Sequence, residues 1–274
     1  MCEIIFIPSF LLIIYVHSIS TIQCPSCDDI VFDTTNIPLS VNQSYCEQVV
    51  ESASLCRSEL IVDLIDSYPA VIKYITAPLN ALITNNGDSE LITNINLPLD
   101  SGYPYGTVTY SCYDKSLCNN NSILQSQYKH LSELNYIEVE TKLSELLYNN
   151  QSILQEDRIE CYNRNNKVEK CCINWHCQAT LIIERGRSDL LTTTCIPDRR
   201  PGSRTGLTIQ SKSIGNDYKK TSISYTCNKN KCNNPTIVHQ VRQILVEINL
   251  VDSKANNLKF VSIILLIICI IINI

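Results

Sequence analysis

Cys171, Cys172, His176 and Cys177 lie close enough in sequence to hold a metal ion. Zinc takes thiolate and imidazole ligands at comparable spacing. The same cysteines can instead form disulfides, and their abundance decides the expectation. The 274-residue chain has 15 cysteines behind an apolar N-terminal segment. Such density belongs to an oxidising compartment, where thiols pair. Cys2 and Cys269 fall in the two end segments, leaving 13. An odd count points to an intermolecular bridge or a free thiol. Catalysis has little to work with. Of four histidines, His17 is in the N-terminal apolar segment, and His130 and His239 lie outside the cysteine-rich regions. There is no Gly-x-Ser-x-Gly elbow and no glycine-rich phosphate loop among the seven glycines. Asp28-Asp29 reads as a pair of solvated surface acids. The expected function is non-enzymatic binding, with no cofactor, no metal and no nucleic-acid partner.

The elements that carry these cysteines occur twice. Thr107-Val108-Thr109-Tyr110-Ser111-Cys112 is followed by Cys118-Asn119-Asn120, and Ser222-Ile223-Ser224-Tyr225-Thr226-Cys227 by Cys232-Asn233-Asn234. Both stretches alternate apolar and hydroxyl residues as half-buried strands do. Upstream, Cys56 precedes Leu60-Ile61-Val62 at the spacing with which Cys177 precedes Leu181-Ile182-Ile183. Asn85-Asn86-Gly87-Asp88 and Pro201-Gly202-Ser203 supply turns between β-branched runs. The pattern predicts an all-β chain of long hairpins in two homologous units. Between them, Leu124, Tyr128, Leu131 and Leu134, then Val139, Leu143 and Leu147, recur at helical spacing. The connector reads as an amphipathic helix, although Tyr136–Glu140 also reads as a strand.

Each unit resembles a three-finger domain of the lymphocyte-antigen-6/urokinase-receptor family. The residues carrying the likeness are Cys24-Pro25-Ser26-Cys27, Cys56 at a strand start, and the two terminal Cys-Asn loops. The resemblance implies pairing of Cys24 with Cys56, Cys27 with Cys46 and Cys112 with Cys118. In the second unit it implies Cys161 with Cys177, Cys171 or Cys172 with Cys195, and Cys227 with Cys232. Assigning Cys172 to Cys195 leaves Cys171 as the unpaired candidate. Both units depart from the family at the position before the last cysteine loop, where Ser111 and Thr226 stand, and Arg164 replaces a further expected cysteine. Domains of this size bury little core, so covalent staples must hold the hub.

The ends read as targeting segments. Residues 1–22 are expected to be a secretory signal peptide, with Ile4–Val16 its apolar run. Phe260–Ile274 is apolar apart from Ser262 and Asn273. With Ser253 and Ala255 as small residues upstream, residues 254–274 are expected to be a GPI-attachment signal with Ser253 the acceptor. A tail-spanning helix is the alternative. The first three-finger domain is placed at 23–122, the connector at 123–158, the second domain at 159–236 and a membrane-proximal stalk at 237–253. Asn42, Asn120 and Asn150 begin glycosylation sequons. The expected location is the outer face of the plasma membrane.

Charge divides unevenly between the two units. Cys24–Cys118 holds twelve acidic against three basic residues, a net of −9; Cys161–Cys232 holds five against thirteen, a net of +8. Arg185, Arg187, Arg199, Arg200 and Arg204 fall in expected loops of the basic unit. Trp175 reads equally as an exposed contact or as packing on the hub. The partners expected are an extracellular or membrane protein, an anionic glycan at the basic loops, or a second copy of the chain. The asymmetry also suits mutual docking of the two units.

Overall fold

The computed structural model describes residues 22–26, 30–32, 49–53, 55–65, 70–77, 89–100, 102–112, 121–149, 158–197, 205–215 and 218–252. These residues are mostly strand, with three helices. The first half supplies β1 (Ile22–Ser26), β2 (Ile30–Phe32), β3 (Val49–Ala53), β4 (Leu55–Asp63), β5 (Ala70–Ala77), β6 (Glu90–Pro98) and β7 (Tyr105–Cys112). The helices α1 (Asn121–Ser132) and α2 (Tyr136–Leu147) follow. The second half supplies β8 (Glu160–Tyr162), β9 (Val168–Lys170), β10 (Trp175–Glu184), β11 (Leu190–Pro197), β12 (Gly206–Ile214) and β13 (Tyr218–Cys227), then α3 (Pro235–Glu247).

Nine strands form one sheet in the order β11-β10-β13-β12-β6-β7-β4-β5-β2, while β1–β3 and β8–β9 are separate two-stranded sheets. The run β6-β7-β4-β5 in the first half has the same order as β12-β13-β10-β11 in the second. The two runs meet where β6 pairs antiparallel with β12, from Gly206 opposite Pro98 to Ile214 opposite Glu90. Asn94 faces Gln210 at the middle of this ladder.

Strand side chains alternate between faces, and in this sheet the alternation separates apolar from polar. Leu60 and Val62 of β4, Ile95 and Leu97 of β6, Val108 of β7, Leu207 and Ile209 of β12, and Ile223 and Tyr225 of β13 are all buried. They form one cluster that crosses the seam and includes the buried residues of all three helices. Two units joined by a connector were expected from the sequence. The described halves share a sheet and a core, because the apolar pairs Leu97–Leu207 and Ile95–Ile209 continue both across the seam.

The connector is helical. Leu124, Leu131, Val139, Leu143 and Leu147 are buried at the spacing seen in the sequence. Asn135 caps α2: its side chain accepts from Glu138 N at 3.3 Å and donates to the Glu138 carboxylate at 3.3 Å. That reciprocal cap fixes the start of α2 and resolves Tyr136–Glu140 as helix rather than strand. Gly106 admits α1 to the sheet, since a Cβ there would lie 2.9 Å from Leu131 Cδ1. Residues 237–253 were expected to form a stalk. Their described part holds most of α3, with Val238, Val241, Leu245, Leu250 and Val251 buried, so it folds onto the body. Among the described residues no helix is long and apolar enough to cross a membrane.

Candidate binding face

The disulfides sit at one end of each four-strand run, and because β6 and β12 are antiparallel the two groups lie at opposite ends of the nine-stranded sheet. Cys24 is bonded to Cys56, Cys161 to Cys177, Cys171 to Cys195 and Cys227 to Cys232. Cys112 is also disulfide-bonded. Disulfides in this number belong to a chain folded in an oxidising compartment, extracellular or secreted. One assignment requires correction. Cys171, taken as the unpaired candidate, is bonded to Cys195, and the exposed Cys172 carries the free thiol. Neighbouring residues of an extended chain point to opposite sides. Cys171, only 2% exposed and with its N–H bonded to Ile159 O at 2.9 Å, is the one that faces the hub. The sulfurs of Cys171 and Cys177 are thus committed to disulfides, so the four-residue metal spacing has no thiolate from either.

Asn233 completes the hub. It is fully buried, and its amide joins three strands. Oδ1 accepts from Tyr162 N at 2.8 Å, while Nδ2 donates to Tyr162 O at 2.9 Å and Gln178 O at 3.1 Å. A longer contact reaches Thr194 O at 3.5 Å. The next residue, Asn234, caps α3 by accepting from Ile237 N at 3.0 Å. In the second unit, the two asparagines of Cys232-Asn233-Asn234 are therefore a clamp followed by a helix cap.

Opposite the buried face, the sheet carries hydroxyl and amide groups. From β10 across the seam, register sets Thr180 beside Ser224, Ser224 beside Thr208, Thr208 beside Asn96, and Asn96 beside Tyr105. Thr180 and Ser224 share a hydrogen bond of 3.0 Å, and Thr208 Oγ1 donates to Asn96 Oδ1 at 3.3 Å. In the adjoining row Gln210 Nε2 donates to Asn94 Oδ1 at 2.9 Å, and Asn94 Nδ2 to Thr107 Oγ1 at 3.3 Å. At the end of the seam Lys212 is ion-paired with the buried carboxylate of Glu90, off the axis of an aligned hydrogen bond.

A cleft of about 560 Å³ opens on this face where the halves meet. Its floor includes Asn96, Thr208, Ser224 and Thr226, with Gln178 alongside. Tyr103 and Tyr105 flank it and remain 67% and 45% exposed. The chain that carries Tyr103 is tied down at both ends. Leu99 N donates to Thr205 O at 2.8 Å, Thr205 N to Asp100 Oδ2 at 2.8 Å, and Leu64 N to Pro104 O at 3.1 Å. Gly206 keeps the floor level, because a Cβ there would come within 3.1 Å of Leu97 O. On the other side of the sheet, the Tyr136 hydroxyl donates to Pro98 O at 2.9 Å.

The sequence-derived contact residues that are described, Trp175, Arg185 and Arg187, lie elsewhere. Trp175 is half-buried and packs against the core at the disulfide end of β10. Arg185 and Arg187 are exposed at the β10–β11 turn, where Arg187 pairs with Glu184 at 3.2 Å. Arg199, Arg200 and Arg204 lie outside the described residues, as do Cys27, Cys46, Cys118, Asn42, Asn120, Asn150, Ser253 and residues 1–21 and 254–274. The sequence reading missed the cleft residues. Their signal was present in the alternation Ser222-x-Ser224-x-Thr226 and in Gly102-Tyr103-Pro104-Tyr105, a turn-like stretch with two aromatics. No protein-family model matches the chain, and no curated protein matches it.

Proposed function

We propose that this chain is a non-enzymatic binding protein on the outer face of the cell. It comprises two three-finger units fused edge to edge, lipid-anchored through its C-terminal segment, and it engages an extracellular or membrane protein through the open sheet face. The repeated strand order and the disulfides at one end of each run support the three-finger reading. One observation carries the function: the apolar face is covered by helices, while the opposite face bears hydrogen-bonding side chains and a cleft with exposed tyrosines. Concave surfaces with aromatic walls and a few fixed polar groups suit recognition.

A photo-crosslinking amino acid at position 208, on the open face, and at position 137, on the exposed side of α2, tests this on cells that display the protein. A discrete adduct from 208 and none from 137 is expected. Equal adducts from both positions, or none from 208, overturns it. The exposed Cys172 favours a second reading, a structural or adhesive protein acting as a disulfide-linked dimer. Non-reducing electrophoresis of the cell-surface protein distinguishes the two, since a dimer band lost on Cys172→Ser supports the second.

A further inference from the structure

We propose that the cleft at the seam binds a neutral saccharide presented by the partner. This inference rests on the open face being the binding surface. Among the described residues, the cleft's lining includes no charged side chain. Its polar side chains are amides and hydroxyls, among them Asn96, Gln178, Thr208, Ser224 and Thr226. Side-chain amides and hydroxyls both donate and accept, which matches the paired donor–acceptor character of sugar hydroxyls. A phosphate, sulfate or carboxylate ligand would instead call for a fixed cation.

The aromatic component supplies the rest. Tyr103 and Tyr105 offer ring surface at the mouth of the cleft beside that polar floor. The C–H face of a pyranose is apolar and stacks on such rings, while its edge hydroxyls reach the floor. The volume of about 560 Å³ lies within the roughly 300–1,000 Å³ of small-ligand sites. Preorganisation is visible too. Thr208 is bonded to Asn96, Ser224 to Thr180, and the tyrosine-bearing connection is tied to Thr205 and Leu64. Groups already fixed lose little entropy when a ligand arrives. The site also explains the flat floor: Gly206 stands where any side chain would meet the backbone of Leu97 and Pro98.

The site differs in charge from the basic-loop glycan site expected from the sequence. Here the ligand is uncharged, and the cleft is built from both halves of the chain, so neither half alone would form it.

The test uses the full-length protein made through the secretory pathway. It is presented with immobilised neutral oligosaccharides of glucose, galactose, mannose and N-acetylglucosamine, and with heparin-derived sulfated oligosaccharides. Retention on at least one neutral probe is expected. Tyr103→Ala should weaken it about tenfold, the scale of a lost aromatic contact. Thr208→Val should weaken it several-fold, and Ile137→Ser on α2 should leave it unchanged. Non-reducing thermal melts establish that each variant is folded. Retention on the sulfated probes alone, on no probe, or on a neutral probe with unchanged strength in both cleft variants overturns the proposal. If the saccharide fails while position 208 still crosslinks a protein, the open-face reading stands and only the ligand class is wrong.

Discussion

Replacing Asn233 with Ala tests the hub clamp. The side chain makes three well-formed hydrogen bonds, to Tyr162 N, Tyr162 O and Gln178 O, and is fully buried. At a net of about 1 kcal/mol each, their loss costs about 3 kcal/mol. The longer contact to Thr194 O adds little, because such bonds weaken with distance. For a cooperative body of this size, Tm falls by roughly 2–4 °C per kcal/mol, giving a drop of about 6–12 °C. Asn233→Asp should be worse near neutral pH, since it places a carboxylate against backbone carbonyls where an NH2 stood. Part of that loss should return as pH falls and the acid protonates, because burial raises its pKa above the unfolded value and the penalty belongs to the charged form. Asn230→Ala, which removes one exposed bond to Glu160 N, serves as the control and should cost less than about 1 kcal/mol. Circular dichroism melts with disulfides intact provide the readout. A shift for Asn233→Ala no larger than that for Asn230→Ala would refute the clamp.

Three further outcomes are expected. Under native conditions a maleimide should label Cys172 once, and peptide mapping should recover Cys171 linked to Cys195; labelling at Cys171 contradicts the hub described here. Burial, reinforced by Glu140, pushes the Tyr136 phenol up to about 12 from 10.0. The native state then keeps a proton that the unfolded chain releases, so stability is unaffected below pH 10 and declines as pH rises from 10 towards 12. Burial shifts Tyr225 in the same direction, so Tyr136→Phe should reduce the slope of alkaline denaturation, and an unchanged slope counts against this assignment. Phosphatidylinositol-specific phospholipase C should release the protein from intact cells, whereas retention beside a shed lipid-anchored control favours a spanning tail.

Local pattern carried much of this architecture. Leu124, Leu131, Val139, Leu143 and Leu147 announce their helices because a 3.6-residue period is visible within a few turns. Thr107–Cys112 and Ser222–Cys227 fall within the corresponding strands β7 and β13 for the same reason, with a period of two. The seam was invisible. Glu90–Pro98 and Gly206–Ile214 each look like an ordinary hairpin strand, and nothing in either sequence names a partner more than a hundred residues away. The cleft was hidden because Asn96, Thr208 and Ser224 have the character of any solvated face until the register brings them together. The Cys171–Cys172 ambiguity had a similar source: only the path of the chain decides which of two adjacent thiols turns inward.

The seam also sets a clock for synthesis. Asp100 and Thr205, which meet beside it, are separated by 105 positions. At roughly 5–20 residues per second, about 5–20 s pass between emergence of β6 and arrival of its neighbour. During that interval the nascent chain presents an open edge with Ile95 and Leu97 uncovered, the kind of edge that recruits any available strand. In a crowded secretory lumen the nearest candidate is β12 of another copy, and pairing there yields a swapped dimer with the same ladder. The helical connector counters this by shortening the path home. Twelve residues of α1 and twelve of α2 replace a long coil, so the second half is delivered close to the edge that awaits it.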